Sequence, residues 1–96
     1  MSKSREQIIA AIKAQLDETN AALNELEKKA AGASDEAQAK YQEQLARLQK
    51  QSDDVQDKLQ ELADAGEEAW GAMVAEAEKV RDAFIHSFHY FKSQLK

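Results

Sequence analysis

Apolar side chains recur along this chain at alternating spacings of three and four residues, and no proline interrupts them. This spacing places one apolar side chain on the same face at every helical turn, as in amphipathic helices and coiled coils. Proline is the strongest breaker of helices, so its absence lets the pattern continue over long distances. The feature predicts an all-α fold built from long helices.

A first helix is predicted over about residues 4–31, with a tight turn after it at residues 31–34. Ser4 can cap the start of the helix, and Gln7, three residues later, can complete a capping box. Gly32 is the residue type that commonly ends a helix in the left-handed conformation. Either Ser34 or Asp35 can then cap a second helix. Asp35 and Gln38 have the spacing of a capping box.

The second helix begins at about residue 35 and carries an apolar stripe with the same period as the first. Two helices joined by a short loop, each with one apolar stripe, pack antiparallel. The sequence therefore predicts a helical hairpin, a short antiparallel coiled coil. Its predicted core comprises Ile9, Ile12, Leu16, Leu23 and Leu26 from the first helix, with Leu45, Leu48, Val55, Leu59 and Leu62 from the second.

Beyond Leu62 the stripe continues through Gly66 to Trp70 and on toward the last residues. We therefore expect one long second helix over about residues 35–94, which at 1.5 Å per residue would span roughly 90 Å. The alternative is a break near Gly66, with Asp64 as the cap of a third helix and a three-helix bundle as the fold. In both cases residues 1–96 are expected to form one helical domain.

The last third of the chain carries an unusually aromatic apolar face. If the first helix pairs with residues 35–62, it does not reach this face, and an exposed apolar surface of that size indicates an interaction surface. The expected partner is a second copy of the chain, in a dimer or higher oligomer. In the three-helix alternative the same face is the core of the monomer. The predicted self-association residues are Trp70, Met73, Val74, Val80, Phe84, Phe88, Phe91 and Leu95.

Charge is distributed unevenly along the chain, whose net charge is −5. Residues 1–78 carry 9 basic and 17 acidic side chains, whereas residues 79–96 carry 4 basic and 1 acidic. The acidic balance argues against nucleic acid as a partner, because phosphate binding needs a basic face. The basic, aromatic end suggests an alternative function, in which residues 70–96 bind an anionic membrane surface.

Catalytic and cofactor motifs are not found in the sequence. There is no cysteine, no Ser–His–Asp grouping and no phosphate-binding glycine loop. Asp82, His86 and His89 share one helical face, which we interpret as solvent-exposed polar positions rather than a metal site. We expect no enzyme activity, no metal and no cofactor. Without an apolar run long enough for a signal peptide or a membrane span, a cytoplasmic location is expected.

Three segments resemble a family of small bacterial coiled-coil proteins linked to stress response. They are REQIIAAIKAQLDETNAALNELEKKA near the start, YQEQLARLQKQSDDVQDKLQEL in the middle, and AGEEAWGAM before the last third. The resemblance covers about residues 5–80. It implies a helical, oligomeric bacterial protein and supplies no catalytic residues. We therefore expect a stress-associated structural or interaction protein that assembles with itself, or alternatively an adaptor subunit that binds another protein in a larger complex.

Overall fold

The computed structural model of the protein describes residues 4–95. These residues form three helices and no strand: α1 (Arg5–Ala31), α2 (Asp35–Asp64) and α3 (Glu67–Gln94). The fold is therefore all-α. Residues 1–3 and Lys96 lie outside the described residues. All four belong to the predicted domain, and Lys96 also belongs to the predicted lipid-binding segment.

The start of α1 is closed by the capping box that the sequence predicts. The Ser4 hydroxyl accepts a hydrogen bond from the Gln7 backbone N–H at 3.2 Å. The Gln7 side-chain oxygen in turn accepts one from the Ser4 backbone N–H at 3.1 Å. Two N–H groups that the first helical turn leaves without a partner are thereby satisfied.

The turn between α1 and α2 differs in detail from the prediction. Gly32 caps α1 with φ −86° and ψ 0°, so it is not in the left-handed conformation. Ser34, rather than the residue after it, is the N-cap of α2. Gln38 forms no capping box, because its side-chain amide donates to the carbonyl oxygens of Ala31 and Ala33, at 2.8 and 2.9 Å. Gln38 thus binds one carbonyl group left over at the end of α1 and one in the turn that follows it.

The second helix does not continue to residue 94, which corrects the expectation of one long helix. It ends at Asp64, and a two-residue bend, Ala65 and Gly66, leads directly into α3. Gly66, not Asp64, is the N-cap of α3, and no side chain caps that end. The bend has a physical reason: it folds α3 back along α2, and the aromatic face of α3 is then buried against the chain's own helices.

Cross-helix contacts define the topology. Asn20 of α1 meets Ser52 of α2, and the rings of Tyr41 in α2 and Phe91 in α3 lie 5.7 Å apart. The helices therefore run up, down and up, with α2 antiparallel to both neighbours. The molecule measures 51 Å along its longest principal axis and 20 and 16 Å along the other two.

All three helices contribute to one core. Burying a large apolar side chain is worth about 1.5–3 kcal/mol, so this cluster is the main source of stability. Its buried members are Ile12, Leu16, Leu23, Leu26 and Ala30 of α1, Leu48, Val55, Leu59 and Leu62 of α2, and Ala77, Phe84, Phe88 and Phe91 of α3.

Candidate self-association surface

The residues predicted for self-association all lie on the core side of α3. Phe84, Phe88 and Phe91 are buried, with 0%, 6% and 1% of their surface exposed. The other five, Trp70, Met73, Val74, Val80 and Leu95, are partly buried against the same core. The stripe is therefore covered within one chain, and this corrects the expectation that it is open on a monomer.

The residues predicted for the hairpin core belong to this same cluster. Ile9 and Leu45 are partly buried, and the other eight are buried. The sequence pattern thus identified which side chains face inward on each helix. The prediction of one long second helix assigned the two groups to separate surfaces, and the three-helix alternative assigned them to one core. The structure joins them into one core because α3 lies along the α1–α2 hairpin.

The bend between α2 and α3 is bound by an arginine that the sequence pattern did not single out. One guanidinium nitrogen of Arg5 donates to the Ala65 carbonyl oxygen at 2.7 Å. The same guanidinium lies 4.6 Å from the centroid of the Trp70 ring, a cation–π geometry. Arg5 therefore connects the start of α1, the bend and the first turns of α3. Nothing in the local sequence reveals this contact, because the partners are 60 or more residues apart.

A polar pair interrupts the apolar interface between α1 and α2. The Ser52 hydroxyl, in a residue only 6% exposed, donates to the Asn20 side-chain oxygen at 2.9 Å. A buried hydroxyl without a partner is costly, so the pair favours one alignment of the two helices.

Charged side chains link α3 to its two neighbours near its middle. Lys58 of α2 lies 3.1 Å from Glu61 on its own helix and 3.4 Å from Glu76 on α3. The hydrogen bond and charge of Glu61, followed by those of Glu76, raise the pKa of Lys58. On the other side of α3, Arg81 donates to the Gln15 side-chain oxygen of α1 at 2.9 Å. These contacts fix how far along the hairpin α3 sits.

Polar side chains of α3 include two histidines and border an open groove. His86 and His89 are exposed, and the His89 ring lies edge-on to Phe88 at 5.5 Å. Within residues 4–95, no group of three His, Asp or Glu side chains is placed to hold a metal ion. An open groove of about 400 Å³ between α2 and α3 is lined by Lys40, Arg47 and Tyr90 among others.

None of the three described helices has a segment both long enough and apolar enough to cross a bilayer.

Comparison of the chain with protein-family models, with curated proteins and with solved structures finds no match. The resemblance to bacterial stress-response coiled-coil proteins therefore rests on the quoted sequence segments alone.

Proposed function

We propose that this chain is a non-enzymatic helical interaction protein that folds as a three-helix bundle and self-associates through the apolar face of α3. The observation that carries the proposal is the composition of that face. Phe84 and Phe91 are the two largest of the fully buried side chains. The face therefore holds much of the energy available for any association, whichever chain covers it.

Self-association through this face requires α3 to leave its own hairpin, because its phenylalanines are buried there. The connection that holds α3 is short: two residues join it to α2. A stable monomer and a slowly formed dimer are expected together, since the same side chains stabilise both. The proposed partner is therefore a second copy of the chain.

Light scattering at graded protein concentration tests the proposal. We expect a dimer fraction that rises with concentration and with incubation near the unfolding temperature, where α3 is released more often. A monomer at every concentration up to about the millimolar range, before and after such incubation, would refute self-association.

Lipid binding by residues 70–96 would compete for the same face. Lys79 and Lys92 are exposed on α3, whereas Phe84 and Phe88 point into the core. A membrane-bound form would therefore also need α3 to be released. In co-sedimentation with anionic vesicles at low salt, we expect the folded protein to stay in the supernatant. Sedimentation with the vesicles would support the lipid function. Displacement of the vesicles from α3 by a helix of another protein would support the adaptor function.

The cellular setting that we propose is the bacterial cytoplasm under stress, and its support is the sequence resemblance. Growth of a deletion strain under osmotic or oxidative stress, compared with the parent strain, tests this setting. Equal survival of the two strains would count against it.

A further inference from the structure

We infer that two copies associate by exchanging α3, with α2 and α3 joining into one continuous helix through Ala65 and Gly66. This inference rests on the proposed self-association and specifies its route. In the exchanged dimer, α3 of each copy occupies the place on the partner's α1–α2 hairpin that its own α3 holds in the monomer.

At the two residues of the bend, the φ angles are close to helical values and only the ψ angles differ from them. Ala65 has φ −71° and Gly66 has φ −76°, near the helical value of about −63°. Their ψ angles, 137° and 167°, are extended. Rotation about the ψ bonds of Ala65 and Gly66 is therefore enough to convert the bend into a continuous helix. The backbone angles of the residues on either side need not change.

The apolar stripe stays in register when the bend straightens. Trp70 lies 11 residues after Leu59, and Met73 lies 11 residues after Leu62. Eleven residues make close to three helical turns, so each pair falls on one face of a continuous helix. The straight form thus presents one unbroken apolar face, of which the α2 half remains bound to α1.

A second copy is the occupant that this face fits best. Once α3 has left, its core residues are complementary to the vacated place on the hairpin of another copy, because that place packs against the same residues in the monomer. Two copies that exchange helices recover each contact of α3 with the hairpin, including the bonds of Glu76 to Lys58 and of Arg81 to Gln15. Such closed two-fold exchange adds no uncovered surface, which makes it a low-cost route to a dimer.

Two variants at Gly66 shift the bend in opposite directions. A Cβ atom added there would meet nothing within 4 Å, so an alanine side chain fits the monomer. Gly66→Ala favours the continuous helix by roughly 5-fold per chain, so we expect a roughly 30-fold larger dimerisation constant. Gly66→Pro suits the bend, since φ −76° matches proline and the ψ of Ala65 suits a residue before proline. Proline in the middle of a continuous helix would abolish the exchanged dimer.

Distances within one chain identify the route. The chain has no cysteine, so spin labels attach only at introduced positions, Asp54→Cys and Lys79→Cys. Both sites are exposed and lie one turn from the contact of Lys58 with Glu76. Neighbouring helices place them about 10 Å apart in the bend. A continuous helix separates them by about 38 Å, 25 residues at 1.5 Å each.

The measurement uses a dimer formed from labelled chains with an excess of unlabelled chains, so that only distances within a chain are seen. We expect the long distance in the dimer and the short one in the monomer, with Gly66→Pro monomeric and unchanged in helix content. A dimer that keeps the short distance would overturn exchange and leave self-association standing. Absence of any dimer, in Gly66→Ala as well, would overturn both.

Discussion

Replacement of Arg5 by glutamine removes the contacts that bind the bend between α2 and α3. In the folded chain the guanidinium donates to the Ala65 carbonyl oxygen at 2.7 Å and lies 4.6 Å from the Trp70 ring centroid. Glutamine is shorter and uncharged, so neither contact can form. The Ser4 cap of α1 does not involve the Arg5 side chain and should persist.

The expected loss of stability follows from these two contacts. A hydrogen bond from a charged donor contributes about 1.5–3 kcal/mol. A partly exposed cation–π contact adds about 0.5–1 kcal/mol. Because Arg5 is only partly buried, the low end of each range applies, and the total is about 2 kcal/mol. For a domain of this size that corresponds to a fall in Tm of about 8–16 °C.

Thermal unfolding followed by circular dichroism at low protein concentration measures the loss in the monomer. Lys13→Gln on the same helix is the matched control, since Lys13 forms an exposed pair with Asp17 at 3.0 Å. Exposed pairs are worth about 0–1 kcal/mol, so the control should shift Tm far less. If Arg5→Gln shifts Tm no more than Lys13→Gln does, Arg5 does not bind the bend in the way argued.

Three further predictions concern the core and its polar contacts. Phe84→Ala should lower the free energy of unfolding by about 3–5 kcal/mol in urea titration, whereas Tyr90→Ala, at a residue 59% exposed, should change it by less than about 0.5 kcal/mol; similar losses would contradict the described core. Asn20→Ala should cost about 1–2 kcal/mol because it leaves the buried Ser52 hydroxyl without its partner, and adding Ser52→Ala should recover part of that loss; a double variant no more stable than the single one would contradict this account. The folded-state pKa of Lys58 is raised, so its ion pairs should stabilise the fold below the ordinary lysine pKa of about 10.4 and lose that effect as the pH rises through the raised value. The difference in unfolding free energy between wild type and Lys58→Gln, measured against pH, should therefore disappear at pH values above the raised pKa. A difference that grows at alkaline pH would contradict the stabilising role of these ion pairs.

The sequence predicted the first helix and the inward side of each helix well, because those features depend on local signals. The Ser4 and Gln7 capping box lies within one turn of α1, and it forms as predicted. The apolar period placed Leu23, Leu48 and Phe84 on inward faces, and each is at most 1% exposed. Patterns of this kind report which face is buried, but they do not report what covers it.

The bend at Ala65 and Gly66 was predicted only as the alternative to one long helix, because local signals there nearly balance. Glycine costs about 1 kcal/mol inside a helix, which is too little to end one. No side chain caps α3, so the usual start signal is missing. The choice depends on long-range terms: burial of the aromatic face in the chain's own core, and the bond from Arg5 to a carbonyl group 60 residues away.

The same balance explains why both a bent monomer and a straight exchanged form are compatible with one sequence. Contacts of α3 with the hairpin are identical in the two forms, so they cancel from the comparison. What remains is the bend itself: the Ala65 carbonyl oxygen accepts from Arg5 in the bent chain, but from the N–H of Ala69 in a continuous helix. Gly66 favours the bend slightly, and loss of freedom on pairing two chains favours it further. Protein concentration, and any change that weakens the Arg5 contact, are therefore the terms that move the chain from one form to the other.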